Sequence, residues 1–309
     1  MAYPIDKKLV VGISSNALFD LSKEDDIFKN SGLEAYRKFQ NQHKSIVLPK
    51  GVAFPFIKRL LNINTVYKEE KPVEVVLLSR NSPETGIRIF NSIQEHDLDI
   101  TRAAFMSGGS AIEYISAFNI SLFLAINEQD VKLAVDKGLP AGRILKTEII
   151  DDDKDAFELR VAFDFDGVIA DDEAERIYKE GGLDAYHKYE NSHKSEALRS
   201  GPLANFFKKI SFFQKLETKK QLEDASYKKI LKTAIITARN APAHERAITT
   251  LNNWEVNVDE MFLLGGIDKS RILEVLKPHL YFDDQMAHLD QSAAKNIPLV
   301  HIPFGIANE

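Results

Sequence analysis

The chain has 309 residues, of which 44% are hydrophobic and 28% charged, with a formal net charge of −6 and no cysteine. That balance predicts a globular protein of one large or two medium domains. The negative charge argues against a binder of nucleic-acid backbones, and the missing cysteines exclude a disulfide framework or a thiolate site. No apolar stretch approaches the roughly 20 residues that span a bilayer. Leu9–Ile13 is too short for a secretory leader, because Ser14-Ser15-Asn16 follows at once. The expected location is the cytoplasm, with no membrane and no nucleic-acid partner.

Taken in order, the chain writes one pattern twice. Val11-Gly12-Ile13 predicts a buried strand, and residues 27–45 predict helix. Residues 177–195 repeat the latter at a constant offset of 150 (177 − 27), with Gly32 matching Gly182, Tyr36 matching Tyr186, Asn41 matching Asn191 and His43 matching His193. A match this long indicates an internal duplication. Gly51 aligns with Gly201, and Val75–Ser79 lies over Thr233–Thr237. Phe105-Met106-Ser107-Gly108-Gly109 matches Phe262-Leu263-Leu264-Gly265-Gly266, and Leu122-Phe123-Leu124 matches Leu280-Tyr281-Phe282. Strands alternating with helical stretches predict βαβ units, and hence two α/β lobes with parallel sheets over about 1–150 and 157–309. The acidic run Asp151-Asp152-Asp153-Lys154-Asp155 is the expected linker. In each lobe a helical insert follows the first strand, about 172–230 in the second. It is expected to stand as a small cap over the carboxyl end of the sheet.

The second lobe opens on Val161-Ala162-Phe163, a strand buried on both faces, which leads into Asp164-Phe165-Asp166-Gly167. Two carboxylates this close repel unless a cation lies between them. The economical reading is a Mg2+ site with one Asp free to attack an electrophile. Taken alone, the pattern would equally suit a strand that ends in an acidic turn. With its apolar lead-in it resembles the first motif of the haloacid dehalogenase-like phosphatases, in which the first Asp is the nucleophile and the second the general acid/base. The other motifs follow in order. Ile235-Ile236-Thr237 is a strand ending in a hydroxyl that can bond a phosphoryl oxygen. Lys269 can neutralise phosphate and nucleophile together. Tyr281-Phe282-Asp283-Asp284 is a second strand ending in two acids, which with Asp164 and the main-chain carbonyl of Asp166 can complete an oxygen shell. The resemblance implies two tandem Rossmann-like lobes, each with its cap. Arg239 is a candidate phosphate or ribose contact, with a surface salt bridge as the alternative, and Phe165 is expected to narrow the site beside the nucleophile. His187, His193, Tyr186 and Tyr189 lie in the repeated cap segment, where packing is the better reading.

The first lobe lacks this set. Ser14 and Asn16 stand for Asp164 and Asp166, Ile112 for Lys269, and Ala125 and Ile126 for Asp283 and Asp284. Only Ser79, opposite Thr237, keeps a hydroxyl. The first lobe is therefore expected to be catalytically silent.

Segments with no part in the chemistry resemble a narrower family, the cytosolic type I 5'-nucleotidases. Among them are Ile13–Phe19, Ala53-Phe54-Pro55-Phe56, Gly86–Ile93, Ala170–Ile177, Phe282–Met286 and His301-Ile302-Pro303-Phe304-Gly305. The resemblance implies Mg2+-dependent hydrolysis of nucleoside 5'-monophosphates, AMP foremost. The alternatives are a phosphatase of sugar phosphates or other small phosphomonoesters, and a nucleotide-sensing protein. A homo-oligomer is left open.

Overall fold

A computed structural model describes residues 3–147, 157–293 and 296–309, so the expected acidic linker lies outside the described residues. Ten strands form one sheet: β1 (Leu9–Ile13), β2 (Val73–Ser79), β3 (Arg102–Phe105), β4 (Leu122–Ala125), β5 (Ala141–Ile144), β6 (Leu159–Phe163), β7 (Leu231–Thr237), β8 (Glu260–Leu263), β9 (Leu280–Asp283) and β10 (Leu299–His301). Their order is β3-β2-β1-β4-β5-β10-β9-β6-β7-β8. Outward from the middle, the two halves therefore carry the same sequence of strands. All neighbours are parallel except β5 and β10, whose antiparallel seam sets Ile144 opposite Val300. Every strand of one half thus runs against every strand of the other.

Register fixes which residues are equivalent. Ile13 pairs with Leu77 as Phe163 pairs with Ile235, which sets Ser79 opposite Thr237. Ser79 pairs with Phe105 as Thr237 pairs with Leu263. This moves the expected double-glycine alignment by one residue. Ser107 and Gly108 (φ 48° and 94°) match Gly265 and Gly266 (φ 56° and 93°). Ala111, not Ile112, then stands in the place of Lys269, and Ile112 is a buried core residue. The amino-acid match of two Gly-Gly pairs misled the alignment, because the left-handed turn begins on Ser107 in one half and on Gly265 in the other.

The halves also exchange contacts reciprocally. The helix Phe54–Val66 sends Arg59 to the carbonyl of Glu158 (2.8 Å), and the helix Ala204–Glu223 sends Lys209 to the carbonyl of Lys8 (3.4 Å) and to Ser121 Oγ (2.7 Å). These residues are 150 apart in each case (209 − 59 and 158 − 8). One apolar cluster takes in Leu9, Ile13, Phe56 and Leu77 together with Phe163, Phe206, Phe207 and Ile235. The two halves share a core.

That packing corrects the expected cap. Phe206 and Phe207 are fully buried against the central strand, with ring centres 6.2 and 5.2 Å from Phe163. Helix Ala204–Glu223 therefore covers the sheet face, because its phenylalanines have more apolar area to bury there than over a polar site. Only Glu173–Ser192 stands over the strand ends. It breaks at Gly182 (φ 73°), as Ser22–Gln42 breaks at Gly32 (φ 77°).

Candidate functional site

The first strand of the second half delivers Asp164 to the carboxyl end of the sheet, where the chain turns away. Its Oδ1 accepts from the Phe165 amide (2.7 Å), and its Oδ2 lies 2.7 Å from Lys269 Nζ. Lys269 opens the helix Lys269–Leu276 and also donates to Asp283 Oδ2 (2.8 Å). Strands β6 and β9 are neighbours, so the ends of both bring their acids onto one ammonium. The Asp283 carboxylate takes further donors, the Tyr281 hydroxyl on Oδ2 and the Gln285 amide on Oδ1 (2.8 Å), and His288 Nδ1 lies 3.2 Å from Oδ1.

Asp284 is the exception. It is 1% exposed, and neither of its carboxylate oxygens has a hydrogen-bond partner. A Cβ on Gly167 (φ 73°) would meet Asp284 Oδ2 at 2.5 Å, so glycine there makes room for the acid. Its carbonyl is held by Asn308 Nδ2 (3.0 Å) and lies 3.1 Å from His301 Nε2. The C-terminal motif that seemed to have no chemical part thus props up the acid pair.

The electrostatics follow. Burial pushes the Asp164 carboxyl up to about 7 against the pull of Lys269. Burial, with Asp164 and Asp283 close by, pushes Asp284 up to about 10. Burial also acts to raise Asp283, but Lys269 and His288 outweigh it and hold that carboxyl well below the ordinary range. Burial opposes the Lys269 ammonium, yet Asp164 and Asp283 keep it charged. A buried carboxylate with no donor must carry a proton or face a cation. The donor set fits a divalent ion of the oxygen-seeking kind. Asp164, Asp283 and His288 bring ligand atoms within 4.8 Å of one another, but the oxygens of Asp283 are already committed. Asp284 is the better donor.

The remaining predicted residues divide. Thr237 ends its strand 1% exposed, and its hydroxyl accepts from the Arg239 amide (3.2 Å), as Ser79 accepts from the Asn81 amide (3.1 Å). A hydroxyl that accepts there still has a proton to donate. Asp166 takes a two-pronged bond from Arg239, with Nε on Oδ2 and Nη2 on Oδ1, both 2.7 Å. Arg239 also donates to the buried Glu190, which in turn accepts from Arg246 (2.9 Å). With a side chain only 1% exposed, Arg239 is not presented to a substrate as expected, and it holds Asp166 to the cap helix instead. Phe165 is also corrected. It is fully buried in the apolar core, with the Arg239 guanidinium 5.4 Å from its ring centre, and does not narrow the site. In the cap, Tyr189 donates to Glu173 (2.7 Å) and His193 Nδ1 lies 2.9 Å from the Tyr189 carbonyl, which is packing chemistry. Sequence reasoning missed Tyr281, His288 and Glu190. His288 carried a signal, since it lies in the first turn of the helix that follows the acid pair.

Among the described residues no helix is long and apolar enough to cross a membrane. The family model of 5'-nucleotidases matches residues 1–309. Human cytosolic 5'-nucleotidase 1B is 32% identical over 292 residues, 91% of this chain and 47% of that protein, so the chain spans about half the length of this relative. Two solved structures are similar at low scores. The domain of the effector protein Lem4 from Legionella pneumophila is 16% identical over 45% of this chain and 78% of its own (TM-score 0.24), and MnaA of S. aureus with UDP is 10% identical over 95% and 78% (TM-score 0.20). Neither carries any weight for the fold. By its full-length match, the chain belongs to the cytosolic type I 5'-nucleotidase family.

Proposed function

We propose that the second half hydrolyses nucleoside 5'-monophosphates, AMP foremost, as a Mg2+-dependent phosphoric monoester hydrolase of the cytoplasm. The observation that carries this reading is the placement of Lys269 between Asp164 and Asp283, beside the unpartnered Asp284. The strand order, repeated about the seam, supports descent by internal duplication, with the first half silent and haloacid dehalogenase-like like the second.

In this reading Asp164 attacks phosphorus in line and the ester bond to the ribose 5'-oxygen breaks. Its Oδ1 is fixed by the Phe165 amide and its Oδ2 by Lys269, so the carboxylate is oriented before substrate arrives. Lys269 and the Thr237 hydroxyl then hold the equatorial oxygens. Asp166 protonates the leaving oxygen and afterwards takes a proton from the water that cleaves the aspartyl-phosphate. Both its oxygens face Arg239, so Arg239 sets where that proton is delivered. Asp164, Asp284 and the main chain of Asp166 would hold the Mg2+, with Asp283 behind them, and the ion would offset the negative charge of the phosphate.

Phosphate release from AMP with Mg2+, assayed beside a panel of sugar phosphates, tests the reading. Asp164→Asn is expected to lower turnover by about ten-thousandfold or more while leaving the unfolding midpoint in place. Full activity in that variant would remove Asp164 from the chemistry, and turnover of sugar phosphates alone would remove the nucleotide.

A further inference from the structure

The first half keeps a cavity where the second keeps its charges. By register, Ser14, Asn16, Ala111 and Ala125 hold the places of Asp164, Asp166, Lys269 and Asp283. All four line one cavity of about 580 Å3, a size that suits a small organic ligand.

Its walls state what would fit. The floor carries none of the carboxylates that make the second-half floor dependent on a cation, so an anion can approach it without a metal. Two carboxylates remain in the walls. Asp130 is neutralised by a two-pronged bond from Arg80 (2.8 and 2.7 Å), and burial pushes Asp25 above its ordinary value. Lys29 and Arg37 add positive charge from the helix Ser22–Gln42. At the mouth Phe28 and Tyr36 meet edge to face with ring centres 6.0 Å apart, and Phe28 is 51% exposed. An exposed aromatic beside a cavity offers its face to a flat ring. Asn81 also lines the cavity, and its Nδ2 is buried without a hydrogen-bond partner. An unspent buried donor calls for an acceptor.

We propose that the first half binds a nucleoside 5'-monophosphate in this cavity, intact and without a metal. The ring is held at Phe28 and Tyr36, and the polar end reaches Asn81, Ser14 and Asn16. The choice of ligand rests on the nucleotide reading of the second half, where Tyr178 and Tyr186 form the same edge-to-face pair at 6.3 Å.

Calorimetric titration of the full chain with AMP in EDTA tests this. One AMP is expected to bind per chain. Asp164→Asn should leave the affinity unchanged, whereas Asn81→Leu and Ala125→Phe should each weaken it about tenfold or more. Unfolding midpoints show whether each variant is folded, and Asn81→Leu, the gentler change in volume, keeps the test standing if Ala125→Phe does not fold. Absence of binding in EDTA overturns the proposal. So does binding that Asp164→Asn abolishes and both first-half variants retain, which would put the ligand in the second half. Displacement of AMP by an equal concentration of inorganic phosphate also overturns it, because the ring would then count for nothing. Failure of the hydrolysis reading would appear as no phosphate release with Mg2+, a separate measurement that this titration does not depend on.

Discussion

The two halves of the sheet have the same strand order and the same broken helix above it, yet one floor is acidic and the other is not. Ser14, Asn16 and Ala125 show that the fold closes without carboxylates at those places. In the second half Asp164 and Asp283 are paired with one ammonium, and Asp284 is paired with nothing. Buried acids that the fold does not need, and that repel one another, weaken the folded state. Their presence in one half alone therefore indicates chemistry, and the cost indicates a cation that offsets it.

The contrast can be pressed from both sides. Arg239→Met should have the largest effect, because it leaves Glu190 and Asp166 without their guanidinium. A loss of about 3–5 kcal/mol in chemical denaturation is expected, with kcat falling much more than KM. A rise in KM alone would return Arg239 to the substrate. Writing an acid into the silent half, as Ala125→Asp, should cost about 3 kcal/mol and yield no turnover there. A neutral outcome would mean that the first floor already tolerates charge. The reverse change, Asp284→Asn, should stabilise the protein in EDTA by about 1–3 kcal/mol and abolish the stabilisation that added Mg2+ gives the unaltered chain. If it destabilises instead, Asp284 has a partner in the fold. The smallest effect belongs to the reciprocal struts. Arg59→Met and Lys209→Met should each cost about 1 kcal/mol, with similar values for the two, since each strut spans the same pair of elements.

Much of this was legible in the chain because the repeat supplied its own control. The strands, the break at Gly32 and Gly182, and the acids at 164, 166, 283 and 284 all stand at period-2 or turn positions that sequence patterns report directly. Three things were not legible. That Asp284 rather than Asp283 lacks donors depends on Tyr281, Gln285 and His288, which reach Asp283 only because a strand end and a helix start meet there. The fate of Arg239 depends on Glu190, 49 residues away along the chain. The role of Ala204–Glu223 depends on where its phenylalanines find the larger apolar surface, and helical spacing cannot distinguish a cap from a core layer.

The antiparallel seam between β5 and β10 has one more consequence. Because the strands of the two halves run in opposite senses, their carboxyl ends lie at opposite rims of the sheet. Molecules reaching the acidic floor and molecules reaching the first-half cavity arrive from opposite directions, so neither queue obstructs the other. Anything one vestibule tells the other must pass through the solid interior, along the seam and the crossed struts, and not across the solvent.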